Sequence, residues 1–337
     1  MRLRHAFCLV IAACLGACSS KPGEAVFSDY EARLGRTLDV SFSATDPAEA
    51  ARKPRAEALQ LDLQGSDIGT LNFLALTGCE LQITIGKRNS SLGKLAAPSQ
   101  RLLLDLEFLR YAPACIEHLA AQPEQRELVA LLERSQRLKQ QQLAQHIFNA
   151  TLAGPEWHQF WRHQDIPTGY PKHTTSDQVL QALDAITAMA SRWLEGNYAA
   201  DNAAFEAHLN TLRSGDGGVI LTAAQLGQQF LARWNTSLGE YAQQRGCTPL
   251  PNHTKTILET VIAKYFVGGV QQWLAPIMSR AENIQGASNN LEQLLRTASP
   301  IDYSLWQQQR DNDIQALKLL TKDHVHRLKS VLEPCRS

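Results

Sequence analysis

The sequence has no excess of charge of either sign, because 33 lysines and arginines stand against 33 aspartates and glutamates in 337 residues. A protein that binds nucleic acid, or that is held on an anionic membrane by charge, needs a basic surface to neutralise phosphates. The balance therefore gives no basis for a nucleic-acid partner. Hydrophobic residues make up 44% and charged residues 20% of the chain, which is typical of a globular protein rather than a disordered one.

Long hydrophobic runs are also missing. The most extended one, from Ala6 to Ala17, is well short of the roughly 20 apolar residues that a membrane-spanning helix needs. It has the length of the apolar region of a secretory signal, and it follows a short positive segment that contains Arg2 and Arg4. We therefore expect export, with no second membrane anchor in the body of the protein.

Established catalytic motifs are also missing from the sequence. The chain has no His-Glu-x-x-His, no Gly-x-Ser-x-Gly and no phosphate-binding P-loop. Ser91-Leu92-Gly93-Lys94 fits the Ser-x-x-Lys spacing of penicillin-recognising enzymes, but their Lys-Thr-Gly motif is missing. His324 and His326 are two residues apart, which places them on different faces of a helix. The sequence thus predicts no catalytic residue, no cofactor and no metal site.

The first informative motif that the sequence does contain is Leu15-Gly16-Ala17-Cys18, which resembles the lipobox of bacterial lipoproteins. By that resemblance residues 1–17 are a signal peptide, and Cys18 becomes the lipidated first residue of the mature chain. Residues 18–25 then form a lipidated N-terminus and tether, and the membrane is a partner through the lipid. No Asp follows Cys18 to mimic the inner-membrane retention signal of enteric bacteria, so we expect an outer-membrane anchor facing the periplasm.

The remaining cysteines predict disulfides. Of seven cysteines, two leave with the signal and one is lipidated, which leaves Cys79, Cys115, Cys247 and Cys335. An even number in an oxidising compartment indicates two disulfides, for which three connectivities exist. We favour Cys79–Cys115 and Cys247–Cys335, because each cysteine then joins its nearest partner without interleaving. No two of the four have the close spacing of a zinc knuckle.

Apolar periodicity predicts an all-α body over residues 26–337, mainly a helical bundle. The clearest stripe steps by four and three residues, through Val179, Leu183, Ile186, Ala190 and Trp193. Residues 165–176 contain two prolines and a glycine and mark the boundary of two lobes if the body is divided. Leu59, Leu61 and Leu63 alternate with polar residues, which predicts at most a minor strand component.

One segment carries a family resemblance. It comprises Cys79-Glu80-Leu81, an Arg-Asn-Ser-Ser-Leu-Gly-Lys run that ends at Lys94, a Ser-Gln-Arg-Leu stretch from Ser99, and Cys115. It resembles the core of an uncharacterised family of proteobacterial lipoproteins. The resemblance implies export and lipidation, and it implies no activity.

The same run is the best candidate binding site. Gly86 and Gly93 bracket most of a group of hydrogen-bond donors and predict unusual backbone angles there. The donors are Lys87, Arg88, Asn89, Ser90, Ser91 and Lys94. A loop of this kind can bind an anion such as a carboxylate, a lipid phosphate or a glycan acid. The alternative is a solvated basic turn whose polar side chains satisfy local backbone groups.

An aromatic cluster offers a second candidate. It contains Trp157, His158, Phe160, Trp161 and His163. Aromatic faces can stack on sugar rings, but Trp157, Phe160 and Trp161 share one face of a helix, so we expect them in the core. Acids such as Asp105 and Glu107 form no defined pair in the sequence.

These observations predict a lipid-anchored envelope protein of unknown biochemical activity. Its expected role is to bind an envelope partner, either protein or glycan, rather than to catalyse a reaction. The alternative is an envelope hydrolase or transferase whose site is assembled from distant residues. A cleft with converging titratable groups would favour the enzyme, and a shallow apolar groove the binder.

Overall fold

The structure is a computed structural model, and it describes residues 23–43, 53–65, 70–171 and 176–335. The signal peptide at 1–17, Cys18 and most of the tether lie outside the described residues, as do residues 172–175 of the proposed lobe boundary.

Regular structure in the described ranges is entirely helical, which confirms the all-α prediction. Two short 3-10 turns, Pro123–Gln125 and Arg296–Ala298, and one π-helical segment, Ile262–Gln271, supplement the α-helices. The α-helices are α1 Glu24–Leu38, α2 Ala56–Leu59, α3 Thr70–Ala75, α4 Leu81–Asn89, α5 Ser91–Lys94, α6 Pro98–Ala120, α7 Arg126–Gln141, α8 Leu143–Ala150, α9 Pro155–Phe160, α10 Ser176–Leu194, α11 Asn202–Arg213, α12 Gly217–Arg245, α13 Asn252–Val261, α14 Gln272–Leu294 and α15 Ile301–Leu332.

The largest buried cluster lies where α6, α8 and α9 pack with α10, α11 and α14. It contains Trp157, Phe160 and Trp161 at 2% exposure or less, so the prediction that these aromatic residues belong to the core is confirmed. Residues from both sides of 165–176, such as Trp161 and Trp193, share this cluster. A division into two lobes stays a prediction.

Two smaller clusters flank the large one, and each contains or adjoins a disulfide. In the second cluster α1 buries Phe27, Tyr30, Leu34 and Leu38 against α12, α13 and α15. Cys247–Cys335 joins the chain just beyond α12 to the chain just beyond α15.

The third cluster packs α4, α6 and α7 around Cys79–Cys115. Both pairings are therefore the predicted ones. The second disulfide closes a separation of 88 residues and the first one of 36.

The predicted strand at Leu59, Leu61 and Leu63 is wrong. Leu59 ends α2, and the next residues are extended but have no partner strand in the described part of the chain. The side-chain amide of Asn149 takes the partner's place: Leu61 N–H donates to its Oδ1 at 2.8 Å, and its Nδ2 donates to the Leu61 carbonyl at 2.9 Å. Alternation alone cannot distinguish a strand from an extended segment clamped by an amide.

In the parts of the chain that the structure describes, no helix is both long enough and apolar enough to cross a membrane. The same residues contain no group of three or more His, Cys, Asp or Glu side chains placed to hold a metal ion.

Candidate functional site

The predicted donor segment is not a loop but the junction of two helices. Ser90 separates α4 from α5, and its Oγ accepts from the Gly93 N–H at 3.0 Å while donating to the Lys87 carbonyl at 2.7 Å. Gly93 is required for a different reason from the predicted one. Its backbone angles are ordinary, but a β-carbon there would overlap the Lys87 and Arg88 carbonyls. The serine therefore has the local capping role that was the alternative interpretation.

Two cations of this segment bind carboxylates of α6. Lys87 Nζ lies 3.1 Å from Glu107 Oε2, and Arg88 Nη1 lies 3.0 Å from Asp105 Oδ1. Asp105 and Glu107 are thus each paired with a cation of this segment. Because each acid and its cation are 17 to 20 residues apart and lie on different helices, the pairing is invisible to helical spacing.

Asp105 is the centre of the cluster. Its neighbours one turn away on α6, Leu102 and Leu109, are buried, so this carboxylate lies within an apolar stripe at 1% exposure. Lys139 Nζ donates to its Oδ1 at 2.5 Å, and His146 Nδ1 approaches its Oδ2 at 2.9 Å. Lys139 and His146 are seven residues apart on the consecutive helices α7 and α8, and both reach the same carboxylate.

Burial and charge act against each other at this carboxylate. Burial raises the pKa of Asp105, but the His146 hydrogen bond and the charges of Lys139 and Arg88 outweigh burial and hold the pKa well below its usual range. Burial lowers the pKa of the Lys139 ammonium. Asp105 is therefore ionised at neutral pH and serves as the counter-ion that keeps three basic side chains in place.

A cleft of about 380 Å³ opens beside this cluster. Arg88, Asp105 and His146 line it, and Arg101 stands at its exposed rim. Arg101 Nη2 donates to the Lys94 carbonyl at 3.1 Å, and no ion pair to it occurs among the described residues. The cleft thus has one arginine bound to a buried acid and a second that is available to a ligand.

The opposite wall is the extended segment after α2. Gln60 fixes it by donating to the Asn149 and Ala153 carbonyls at 3.1 and 2.8 Å, and Asn149 clamps Leu61 as described above. Asp62 lies on this wall and is exposed. The wall is therefore held by four polar contacts to α8 and the residues that follow it, which preorganises the cleft.

The first turn of α6 also faces the cleft, through Pro98. No side chain caps this 23-residue helix, so the positive end of its dipole points at the open space. Among the residues that line the cleft, Arg88 and Arg101 balance the charges of Asp62 and Asp105, and the two guanidiniums supply several hydrogen-bond donors. The cleft is suited to an anionic group.

Of the predicted donors, only Arg88 lines the cleft. Asn89, Ser91 and Lys94 are exposed on the helix ends, and Lys87 is bound to Glu107. Nothing in the sequence pattern singles out Lys139 or His146, but Asp105 carried a detectable signal, because an acid in a leucine stripe needs a buried partner.

The family comparison agrees with the whole-chain extent of the fold. A family model described as a protein of unknown function (DUF3080) matches residues 27–337. No curated protein and no solved structure matches the chain.

Proposed function

The chain belongs to the DUF3080 family of unknown function. We propose, from its lipobox-like sequence, that it is a lipid-anchored envelope protein and, from the geometry of the Asp105 cleft, that it binds an anionic group there. The anionic group is a carboxylate or a phosphate carried by an envelope glycan or protein. The observation that carries this proposal is that two arginines meet at the mouth of a preorganised polar cleft: Arg88, which a buried acid fixes, and Arg101, which binds only a backbone carbonyl and has no carboxylate partner among the described residues.

The free arginine is the feature that favours binding over a purely structural role. A guanidinium presents several donors in one plane and suits bidentate recognition of carboxylate or phosphate. Arg88 adds the charge of a side chain that is already held by Asp105, so little further conformational entropy is lost when a ligand arrives.

The binding proposal is tested by calorimetric titration of the body, residues 19–337, with inorganic phosphate and with acetate. We expect Arg101→Ala to weaken binding about tenfold or more, since a hydrogen bond to a charged group contributes roughly 1.5–3 kcal/mol. Arg110→Ala is the matched control, because Arg110 is an exposed arginine of the same helix whose guanidinium lies over Tyr111, away from the cleft lining. Equal affinities in the two variants would contradict the proposal.

The lipid anchor is supported by the lipobox that ends at Cys18 and by the short apolar run before it. Three acyl chains would hold the protein durably, since two or more already give stable anchoring. Intact-mass measurement and membrane fractionation of Cys18→Ser test this. We expect that variant to lose the acyl mass and to leave the membrane fraction, whereas the parent keeps both.

A second candidate function rests on the Asp105–His146 contact. His146 Nδ1 lies 2.9 Å from the Asp105 carboxylate, and the imidazole lines the cleft. An imidazole beside a carboxylate at the edge of a cleft is the arrangement of a general base, which makes a hydrolase of a bound envelope ester or amide the second candidate. Mass spectrometry of isolated sacculi and lipids after incubation tests it: product formed by the parent and not by His146→Gln would establish the hydrolase.

A further inference from the structure

A second concave surface, the Trp273 groove, lies far along the chain from the Asp105 cleft. It has a volume of about 470 Å³, and its lining includes Val26, Tyr170, Pro171, Gly268, Trp273 and Pro276. Apolar and glycine residues dominate this lining, unlike that of the cleft. The Asp105 cluster contributes nothing to it.

The groove lies where the described chain begins. Gly23 packs directly on the indole of Trp273, so closely that a β-carbon would lie 2.6 Å from Cζ2. Gly23 also has a φ of +91°, which an L side chain rarely adopts. Phe27, one turn into α1, meets the same indole edge-on at 5.4 Å. The beginning of α1 is therefore locked against one wall of the groove.

The distance from the anchor to this surface has an upper limit. Five residue steps separate Cys18 from Gly23, and n residues span at most about 3.3–3.6 Å each, so Gly23 lies within roughly 18 Å of the α-carbon of the lipidated cysteine. That limit holds for any conformation of the intervening residues. The side of the body that carries Gly23 must stay close to the bilayer surface.

The chemistry of this side matches a bilayer interface. From Tyr265 to Ser279 the chain has no charged residue. Val267, next to the groove, is 49% exposed, and Lys264 flanks the stretch with its ammonium 5.4 Å from the centre of the Tyr265 ring. Here Trp273 and Tyr265 are half-buried, and the Tyr265 ring also contacts the Arg33 guanidinium. An exposed aliphatic side chain with half-buried tryptophan and tyrosine and a bordering lysine is typical of protein surfaces at the headgroup level.

The groove also has rigid walls. Tyr170 Oη donates to Asp216 Oδ2 at 3.0 Å, and Asp216 in turn is paired with Arg280 of α14. The indole of Trp273 is held between Gly23 and Phe27 as described. An unpartnered recess with fixed walls can accept a lipid group without reorganising.

We propose that the Trp273 groove and the exposed side of the uncharged stretch 265–279 face the bilayer and contact its phospholipids, so that the anchor holds the body in one orientation. The proposal rests on the lipid anchor proposed above. It places the membrane contact on α1, the π-helical segment and the start of α14, and leaves the Asp105 cleft to other ligands.

The test is photo-crosslinking of the full lipidated protein in vesicles of phosphatidylethanolamine and phosphatidylglycerol. Benzoylphenylalanine replaces Val267 in one variant and Leu92 in the control. Leu92 is 84% exposed and lies on α5, so it would react more readily if exposure alone governed lipid contact. We expect a phospholipid adduct at position 267 and none above background at position 92.

Flotation of the same vesicles separates the two proposals. If the protein floats and position 267 gives no lipid adduct, or links instead to a second copy, the groove assignment is overturned while the anchor stands. If the protein does not float and its N-terminal peptide lacks acyl mass, the anchor itself is overturned and the orientation with it.

Discussion

Two buried carboxylates of this protein are surrounded by similar partners and differ in what remains open around them. Glu292 accepts from both terminal nitrogens of Arg310 at 2.8 and 2.9 Å, from Tyr303 Oη at 2.6 Å and from Gln307 Nε2 at 2.9 Å. Arg310 is fully buried, with its guanidinium over the rings of Trp161 and Trp306. Asp105 is just as buried, but Arg88 beside it is one-third exposed and faces a cleft.

The difference separates a structural ion pair from a candidate site. At Glu292 the bound arginine is fully buried and its guanidinium is paired within the protein. At Asp105 the carboxylate binds two buried basic groups, Lys139 and His146, and one partly exposed arginine, Arg88, which lines the cleft. A buried acid is therefore informative about function only when the cations it holds are accessible.

Substitutions in the Glu292 and Asp105 clusters should give the largest losses of stability, and the loss should be greater at the Glu292 cluster. Arg310→Met removes the arginine that binds both oxygens of Glu292 in the core, which costs about 3–5 kcal/mol in the free energy of unfolding. Asp105→Asn keeps a hydrogen-bonding side chain, leaves Arg88 able to reach water and leaves Lys139 able to release its proton, since burial already lowers its pKa, so we expect about 1–3 kcal/mol. Urea unfolding followed by circular dichroism measures both. Equal losses would remove the distinction between the closed cluster and the open one.

The disulfide near the cleft should come next in size. Cys79–Cys115 fastens the start of α4, the helix that carries Arg88, to α6, and its removal releases a 36-residue loop. The chain-entropy model gives roughly 3–5 kcal/mol for such a loop, and measured effects are often smaller. In Cys79→Ala/Cys115→Ala we expect hydrogen exchange to rise in α4 and α5 and to stay unchanged around Glu292. Uniform exchange across the protein would contradict this.

As the pH falls, the second core cluster, which encloses His324, should be destabilised before the Asp105 cluster is. Burial lowers the pKa of His324 to about 3, whereas in the unfolded chain the pKa is near 6.5. Between these two pH values the unfolded chain binds a proton at His324 and the folded protein does not. Stability then falls as pH drops from 6.5 towards 3, by up to about 1.4 kcal/mol per pH unit from this group. The contribution of Asp105, whose pKa is depressed, is lost only below about pH 4.

The variant His324→Gln isolates the first of these effects. Its stability should change less between pH 6.5 and pH 4.5 than that of the parent, although part of the slope stays because burial also lowers the pKa of His158 and His163. The measurement is the urea midpoint at each pH. An unchanged slope would show that His324 is not the group responsible.

The smallest effect is expected at Lys87. Its pair with Glu107 is largely exposed, with 53% of the lysine side chain accessible, and exposed pairs contribute about 0–1 kcal/mol. Lys87→Ala should therefore shift the melting temperature by no more than a degree or two and leave phosphate affinity nearly unchanged. A loss of affinity as large as that of Arg101→Ala would move the binding site from the cleft to the outer face of α4.

The fold could be predicted well from the sequence because helical periodicity and disulfide pairing are local or countable. The stripe through Val179 and Trp193 is the buried side of α10, and nearest-neighbour pairing of four cysteines gives both disulfides. The false strand at Leu61 shows the limit: an amide 88 residues away supplies its hydrogen bonds. Only the tertiary structure shows such a partner.

The candidate site was predictable only in part for the same reason. Arg88 belongs to the donor-rich run, but the groups that make it part of a site, Asp105, Lys139 and His146, come from three other helices. Donor density selected the segment that contains Arg88 but gave it the wrong structure. The helix junction at Ser90 uses some of those donors for capping.

The most direct test of the open cluster as a binding site is a phosphate titration of protein whose histidine rings are labelled with ¹⁵N. The account predicts that the ring signals of His146, assigned with His146→Gln, shift saturably while those of His324, enclosed in the second core cluster, stay in place. No shift at His146, or equal shifts at both rings, would contradict it.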